Sequence, residues 1–132
     1  MKCLIVEDVE FVREMMVFYL TGYAEIDTAA DGVEALELFS QALKENEPYH
    51  LVCLDIQMPN MDGQEALKQM RRIEQEAALP DNKAVIIMTT ASTDTKDIEE
   101  AIWEGDSTDY LVKPVKPEDL MAVLKKYRLI EL

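Results

Sequence analysis

Five residues with chemically useful side chains stand at the ends of apolar runs in this sequence. They are three acids, Glu7, Asp8 and Asp55, a hydroxyl, Thr90, and an amine, Lys113. Carboxylates are hard oxygen ligands, which suit Mg²⁺ better than a soft metal. A carboxylate can also attack phosphorus and form an aspartyl phosphate. Because a cation and a lysine would neutralise the oxygens of the transferred group, the set predicts phosphoryl-transfer chemistry.

The elements that carry these residues decide whether they meet. Short runs rich in Val, Ile and Leu predict strands covered on both faces, at residues 2–7, 24–28, 51–55, 85–90 and 109–113. Apolar residues at helical spacing predict helices at residues 11–20, 32–44, 64–76, 97–104 and 117–127. This alternation predicts an α/β fold, a doubly wound parallel sheet of five strands with five helices. The carboxyl ends of parallel strands share one rim, so the chemical residues would converge there.

Residues typical of helix starts and ends stand at the boundaries of the predicted helices. Asp62 and Glu65 form a carboxylate variant of the capping box before the third helix. Pro117 fits the first turn of the last helix, and Gly105 suits the end of the fourth. The local signals and the apolar periodicity therefore predict the same elements.

Composition limits the class of protein. A length of 132 residues suits one domain, and the 48% apolar content is enough for a core. The formal charge of −14 disfavours direct contact with nucleic acid. The sequence has no membrane-spanning run and no signal-peptide pattern, which indicates a soluble, cytoplasmic protein. Cys3 and Cys53 lie in apolar runs and are expected to be buried, reduced thiols.

Each chemical residue also has an ordinary structural interpretation. Glu7 and Asp8 could be strand-end acids or a helix cap, and Asp55 could belong to an Asx turn. Lys113 could be a solvated edge lysine, and Thr90 a common strand residue. The phosphoryl-transfer interpretation depends on all of them falling at strand ends in the same sheet.

Four stretches carry a resemblance to a known family. They are "CLIVEDV", "LVCLDIQMPNMDG", "IIMTTAS" and "DYLVKPVKPEDL". Across essentially its full length the sequence resembles the CheY-like receiver domain of two-component response regulators. The resemblance implies a flavodoxin-like sheet of strand order 2-1-3-4-5 and a cis bond between Lys113 and Pro114. It also implies one receiver domain over residues 1–132, with no output domain in this chain.

The resemblance assigns roles to the acids. Asp55 corresponds to the phosphoacceptor. Glu7 and Asp8 correspond to the acidic pair that holds Mg²⁺ together with Asp55, and the backbone carbonyl of Gln57 completes the set of protein ligands. The position of Gln57 is also one at which the family tunes dephosphorylation.

The resemblance likewise assigns the residues that respond to phosphate. Lys113 corresponds to the family's lysine, Thr90 to its phosphate-sensing hydroxyl and Tyr110 to its switch aromatic. Thr90 is chosen over the preceding threonine because Ala91 then supplies the small next residue. Gly105 also lies at the usual family offset from Thr90.

The implied function is a phosphorylation-dependent switch, not a multiple-turnover enzyme. A sensor histidine kinase or phosphotransfer protein would supply the phosphoryl group. A downstream protein effector would bind the face formed by the fourth helix, fifth strand and fifth helix. The oligomeric state stays open, with a phosphorylation-linked homodimer through that face as one alternative.

Two other functions are compatible with some of these residues. A phosphatase of the haloacid-dehalogenase type would need a second aspartate as general acid at the position of Gln57, and room for a cap domain. An interaction module with a vestigial site would not need the complete set of acids, hydroxyl and lysine that the sequence carries. Both alternatives are therefore disfavoured by particular residues.

Overall fold

A five-stranded parallel sheet forms the centre of the molecule. The computed structural model describes residues 1–58, 60–77, 83–91, 96, 100 and 106–131. Its strands are β1 (Lys2–Val6), β2 (Glu25–Ala29), β3 (Leu51–Asp55), β4 (Val85–Thr90) and β5 (Asp109–Val112). All neighbouring pairs are parallel, and the order is β2-β1-β3-β4-β5. The predicted sheet and its strand order are confirmed.

Four helices cover this sheet in the described part of the chain: α1 (Glu10–Leu20), α2 (Gly32–Lys44), α3 (Gly63–Glu76) and α4 (Pro117–Lys126). The sequence predicted five. The additional one, at residues 97–104, lies outside the described residues apart from Glu100, as does Gly105. No described helix has both the length and the apolar composition that a membrane span requires.

The observed element bounds lie within one residue of the predicted ones. β1 ends at Val6 and β5 at Val112, one residue before the predicted ends. The backbone ladder nevertheless continues, because Glu7 N–H donates to the Ala29 carbonyl at 3.0 Å and Lys113 N–H donates to the Thr90 carbonyl at 2.7 Å. Differences of this size reflect how strand ends are assigned.

Carboxylate caps begin two of the helices. The Asp62 side chain accepts from Glu65 N–H at 2.9 Å, as the sequence predicted for α3. Asp31 does the same for Glu34 N–H at the start of α2, also at 2.9 Å. Pro117 stands in the first turn of α4. Each carboxylate satisfies a backbone donor that has no partner within its own helix.

Two core layers lie on the two faces of the sheet, because side chains alternate along each strand. Leu54 and Met88 belong to the layer under α2 and α3. Cys53 and Ile87 belong to the layer under α1 and α4. Cys3 and Cys53 are both buried and free, as predicted. The face on which a strand-end residue lies therefore follows from its position along the strand.

A buried ion pair ties α3 to the starts of β4 and β5. Arg71 donates to Glu74 at 2.8 Å, to the Ala84 carbonyl at 2.9 Å, to the Asp106 carbonyl at 2.8 Å and to the Thr108 hydroxyl at 3.2 Å. The second oxygen of Glu74 accepts from Ala84 N–H at 2.7 Å. Arg71 and Glu74 are called here the Arg71 cluster.

Candidate functional site

Two buried carboxylates and one lysine meet at the carboxyl ends of the strands. Lys113 Nζ lies 2.6 Å from Glu7 Oε1 and 3.1 Å from Asp55 Oδ1. Glu7 and Asp55 are each only 3% exposed. Because β4 separates β3 from β5, the lysine side chain must reach past the end of β4. Glu7, Asp55 and Lys113 are called here the rim cluster.

The alternation of side chains explains why these three residues meet. Asp55 follows Cys53 by two residues, and Lys113 follows Leu111 by two. Cys53 and Leu111 both belong to the core layer under α1 and α4. Residues two apart on a strand share a face, so the rim cluster continues that layer to its polar edge.

The predicted sensor and switch residues lie towards the other face. Thr90 is 1% exposed and follows Met88 by two residues, on the side of α2 and α3. Tyr110 lies opposite Met88 in the parallel register and packs against the same core layer. Thr89 is the register partner of Asp55, which leaves Thr90 one residue nearer the rim. The sheet thus carries the charged residues on one face and the predicted switch pair on the other.

Burial and neighbouring charges change the pKa of Asp55. Burial, and next the Glu7 carboxylate, raise the pKa of Asp55 to about 7, although Lys113 and the N–H of Gln57 act in the opposite direction. Burial alone would lower the pKa of Lys113, but its bonds to Glu7 and Asp55 outweigh that effect and raise it. One ammonium group therefore compensates incompletely for two carboxylates.

A third acid makes this shortage of positive charge larger. Oxygen atoms of Glu7, Asp8 and Asp55 all lie within 4.8 Å of one another, and Asp8 is exposed. Counted over the described residues, three hard oxygen donors with one lysine leave a net negative site, and Asp8 is its exposed member. That donor set and its charge fit Mg²⁺, which commonly keeps some of its own water ligands in protein sites.

Local contacts fix the two strand ends that carry the buried carboxylates. Glu7 Oε2 accepts from Val9 N–H at 3.1 Å, and the Glu7 carbonyl accepts from Arg13 at 2.9 Å. Gly63 N–H donates to the Ile56 carbonyl at 2.7 Å. A Cβ atom at Gly63 would overlap the Asp55 carbonyl oxygen. Only glycine therefore allows α3 to begin this close to the strand end that presents Asp55.

Two phenylalanines of α1 are exposed, and Phe11 lies beside the site. Phe11 is 70% exposed and Phe18 is 78% exposed. Phe11 also lines a pocket of about 310 Å³ together with Met15, Lys113 and Val115. The signal was present in the sequence, because both phenylalanines fall outside the apolar face predicted for this helix.

Comparison with known proteins identifies the family. The chain matches the family model of the response regulator receiver domain over residues 3–125. It belongs to this family. Receiver domains are signalling switches of two-component systems rather than enzymes that turn over external substrates.

The curated relatives of this receiver domain differ in length. Chemotaxis protein CheY of Bacillus subtilis is 32% identical over 127 residues, which are 95% of each protein. Probable transcriptional regulator ycf27 of Guillardia theta is 36% identical over 94% of this chain. The hybrid signal transduction histidine kinase L of Dictyostelium discoideum is 30% identical over 96% of it. The chain spans 44% and 7% of the length of these last two relatives.

Solved structures agree with the receiver fold. CheY4 of Vibrio cholerae has a TM-score of 0.78 at 32% identity, covering 95% of this chain and 96% of that one. A CheX–CheY–BeF3–Mg complex from Borrelia burgdorferi gives 0.83 at 25% identity, over 96% and 88%. The receiver domain of Saccharomyces cerevisiae Ssk1, solved with the histidine phosphotransfer protein Ypd1, gives 0.81 at 28%, over 96% and 88%.

Proposed function

We propose that this chain is a single receiver domain over residues 1–132 in which Asp55 accepts a phosphoryl group with the help of Mg²⁺. The observation that carries the proposal is the rim cluster, in which buried Glu7 and Asp55 share one lysine. A site with surplus negative charge needs further positive charge in order to hold a phosphoryl group, and Mg²⁺ would supply it to the phosphoryl oxygens. Glu7, Asp8, Asp55 and the Gln57 backbone carbonyl would hold the metal.

The transfer step follows from the chemistry of a carboxylate. An Asp55 oxygen forms a bond to phosphorus while the P–N bond of a donor phosphohistidine breaks and its electron pair returns to the imidazole nitrogen. The product is an acyl phosphate on Asp55. Lys113, which already lies 3.1 Å from Asp55 Oδ1, can then donate to a phosphoryl oxygen. Gln57 is not an acid, which supports a switch over a phosphatase that releases product from external substrates.

The response would pass from the rim cluster to the other face of the sheet. Thr90 would donate its hydroxyl hydrogen bond to the phosphoryl group, and Tyr110 would turn inward as the hydroxyl moves. Phosphorylation would then shift the population towards a surface that a protein effector binds. We assign that surface to the fourth predicted helix, β5 and α4, where Val112 of β5 is 40% exposed. A homodimer through this surface remains a prediction.

A protein donor would approach along α1. Phe11 and Phe18 give this helix an exposed apolar strip, and Phe11 borders the pocket that reaches Lys113. Asp8, Glu10 and Glu14 are exposed along the same segment, so a kinase or phosphotransfer protein whose surface combines basic residues with an apolar contact would fit. The formal charge of −14 supports a protein partner over nucleic acid.

The decisive experiment replaces the proposed acceptor. We expect Asp55→Asn to abolish Mg²⁺-dependent labelling by acetyl phosphate, because an amide oxygen cannot form the acyl phosphate. Intact-protein mass spectrometry detects the label. Asp62→Asn is the matched control, since asparagine keeps the α3 cap and leaves the rim cluster intact.

Two outcomes would contradict the proposal. The first is a folded Asp55→Asn variant that is labelled like the wild type. The second is a wild-type chain that takes no label from acetyl phosphate, from phosphoramidate or from any histidine kinase offered with Mg²⁺. Circular dichroism confirms that the variants are folded before they are compared.

A further inference from the structure

The loop that follows Asp55 is fixed at its base. Gly63 N–H donates to the Ile56 carbonyl at 2.7 Å, which brings the first residue of α3 back to the end of β3. Gln57, Met58 and residues 60–62 are the described part of the loop between these two points, and Pro59 lies outside the described residues. The loop includes Gln57, whose backbone carbonyl is a proposed metal ligand. The conformation of the loop therefore decides where the Gln57 carbonyl lies.

A second attachment holds the tip of the same loop. Asn60 Nδ2 donates to Asp31 Oδ2 at 3.1 Å, across 29 residues of sequence. The other oxygen of Asp31 caps α2 by accepting from Glu34 N–H at 2.9 Å. Asn60 has a left-handed backbone with φ of 69°, which asparagine tolerates better than most residues. One carboxylate thus joins the loop after Asp55 to the start of α2.

Close backbone packing supports the same attachment. A Cβ atom at Gly32 would lie 2.9 Å from the Met61 carbonyl oxygen, so the first turn of α2 touches the loop directly. The strand before α2 is fixed to the rim as well, because the Ala29 carbonyl accepts from Glu7 N–H at 3.0 Å. The turn between β2 and α2 therefore contacts the segments that carry both buried acids of the rim cluster.

We propose that Asp31 and Asn60 are positioning residues, which hold the loop so that the Gln57 carbonyl is available to the metal site. Neither residue belongs to the rim cluster, and each acts through the loop rather than on the phosphoryl group. The inference rests on the proposed function for the role of Gln57. It adds a contribution from the β2–α2 turn, which carries none of the predicted site residues.

The test compares two asparagines with left-handed backbones: Asn60, which contacts the start of α2, and Asn46, which follows its end. Asn60→Gly keeps the left-handed backbone and removes the amide, whereas Asn46→Gly makes the same change at an exposed site with φ of 61°. Among the described residues, no side-chain hydrogen bond is found for Asn46. Binding of Mg²⁺ alone is followed by the NMR amide shifts of Asp55 and Gly63, and labelling by acetyl phosphate is measured across Mg²⁺ concentrations.

We expect Asn60→Gly to raise the half-saturating Mg²⁺ concentration about three- to tenfold, the loss typical of one intramolecular hydrogen bond. Labelling should slow at low Mg²⁺ and recover at saturating Mg²⁺. Asn46→Gly should match the wild type in both measurements, and it should lose less stability in urea than Asn60→Gly, which also loses the hydrogen bond to Asp31. A purely structural role would change the unfolding midpoint and leave Mg²⁺ binding by the folded protein unaltered.

A charge exchange tests the hydrogen bond itself. Asn60→Asp places a second carboxylate against Asp31 and should weaken Mg²⁺ binding. The double variant, Asp31→Asn with Asn60→Asp, restores one hydrogen-bond donor, one acceptor and the wild-type net charge. We expect the double variant to recover Mg²⁺ binding. The inference is overturned if folded Asn60→Gly binds Mg²⁺ like the wild type, or if the double variant binds no better than Asn60→Asp. Because Mg²⁺ binding needs no phosphoryl donor, a wild type that is never labelled would overturn the proposed function and leave this test intact.

Discussion

The rim cluster and the Arg71 cluster are both buried groups of acids and bases, yet they are built differently. In the Arg71 cluster one guanidinium meets one buried carboxylate, Glu74, and all of its nitrogens have acceptors. In the rim cluster two carboxylates, Glu7 and Asp55, share one ammonium. The first is complete, and the second leaves negative charge without compensation among the residues that the structure describes.

This difference separates a structural ion pair from a site prepared for chemistry. A buried pair whose lone pairs and protons are satisfied fixes the position of α3 against β4. A group with surplus charge stores electrostatic repulsion. Burial first, and this repulsion from Glu7 second, raise the pKa of Asp55 to about 7, and a bound cation relieves the repulsion. Burial alone would not have distinguished the two, because Glu7, Asp55, Arg71 and Glu74 are all buried.

The largest expected effect comes from removing the acid of the complete cluster. Glu74→Gln removes the buried carboxylate that pairs with Arg71 and sets an amide donor against Ala84 N–H. Among the described residues, the remaining carboxylate near Arg71 is the exposed Asp106, 3.9 Å away. We expect it to lower the free energy of unfolding in urea by about 3–5 kcal/mol. Glu76→Gln, at the exposed end of α3, should change it by less than about 0.5 kcal/mol.

The same kind of substitution in the rim cluster should have the opposite sign. Asp55→Asn relieves the repulsion from Glu7, so the metal-free variant should be at least as stable as the wild type. If Asp55→Asn proved as destabilising as Glu74→Gln, the two clusters would be equivalent structural pairs and the comparison would be wrong.

The next effect is a dependence of stability on pH. Because the folded pKa of Asp55 is raised from 3.8 to about 7, its favourable contribution is full below about pH 4 and is lost as pH rises through 7. Metal-free wild type should therefore lose on the order of 2–4 kcal/mol between pH 4 and pH 8 relative to Asp55→Asn. Urea unfolding of both proteins across this range measures the difference.

Mg²⁺ should reverse that loss. The cation binds the ionised carboxylates, so its stabilising effect should be larger at pH 8 than at pH 5 and should be reduced in Asp55→Asn. Parallel pH profiles of the wild type and Asp55→Asn, with equal responses to Mg²⁺, would contradict the assignment of surplus charge to Asp55.

The smallest expected effect concerns the surface beside the rim cluster. The donor for this test is the protein that labels the wild type fastest. Phe11→Ala should slow phosphoryl transfer from that donor about tenfold, because it removes one apolar anchor. It should leave labelling by acetyl phosphate unaltered. Tyr23→Ala is the control, because Tyr23 is also exposed but lines a surface depression with Met1 and His50 at the other end of the strands. Equal losses with both donors would place Phe11 in the transfer step itself.

The convergence of Asp55 and Lys113 could be predicted from the sequence for a physical reason. Buried parallel strands read as short apolar runs, and their carboxyl ends must share one rim, so residues after such runs are brought together. The capping role of Asp62 was equally accessible, because a cap acts over three residues. Features set by local order or by sheet geometry were therefore predictable.

Contacts that depend on packing were not predictable. Glu7 and Asp8 read alike in the sequence, yet the first is buried and the second exposed. Asp31 and Asn60 are ordinary cap and turn residues until α2 and the loop are placed side by side. Arg71 reaches the Asp106 carbonyl across 35 residues, a pairing that no local pattern indicates.

The two cysteines give the molecule a built-in reporter of its own opening. Cys3 and Cys53 are the only thiols in the sequence, and the structure buries both on adjacent strands of the core. A hydrogen bond between them, together with burial, raises the pKa of Cys3 well above its usual range. An alkylating reagent therefore meets an unreactive protein until β1 and β3 separate. The rate of alkylation would time global unfolding with no added label, and it would show by how much a bound cation or a phosphoryl group slows that event.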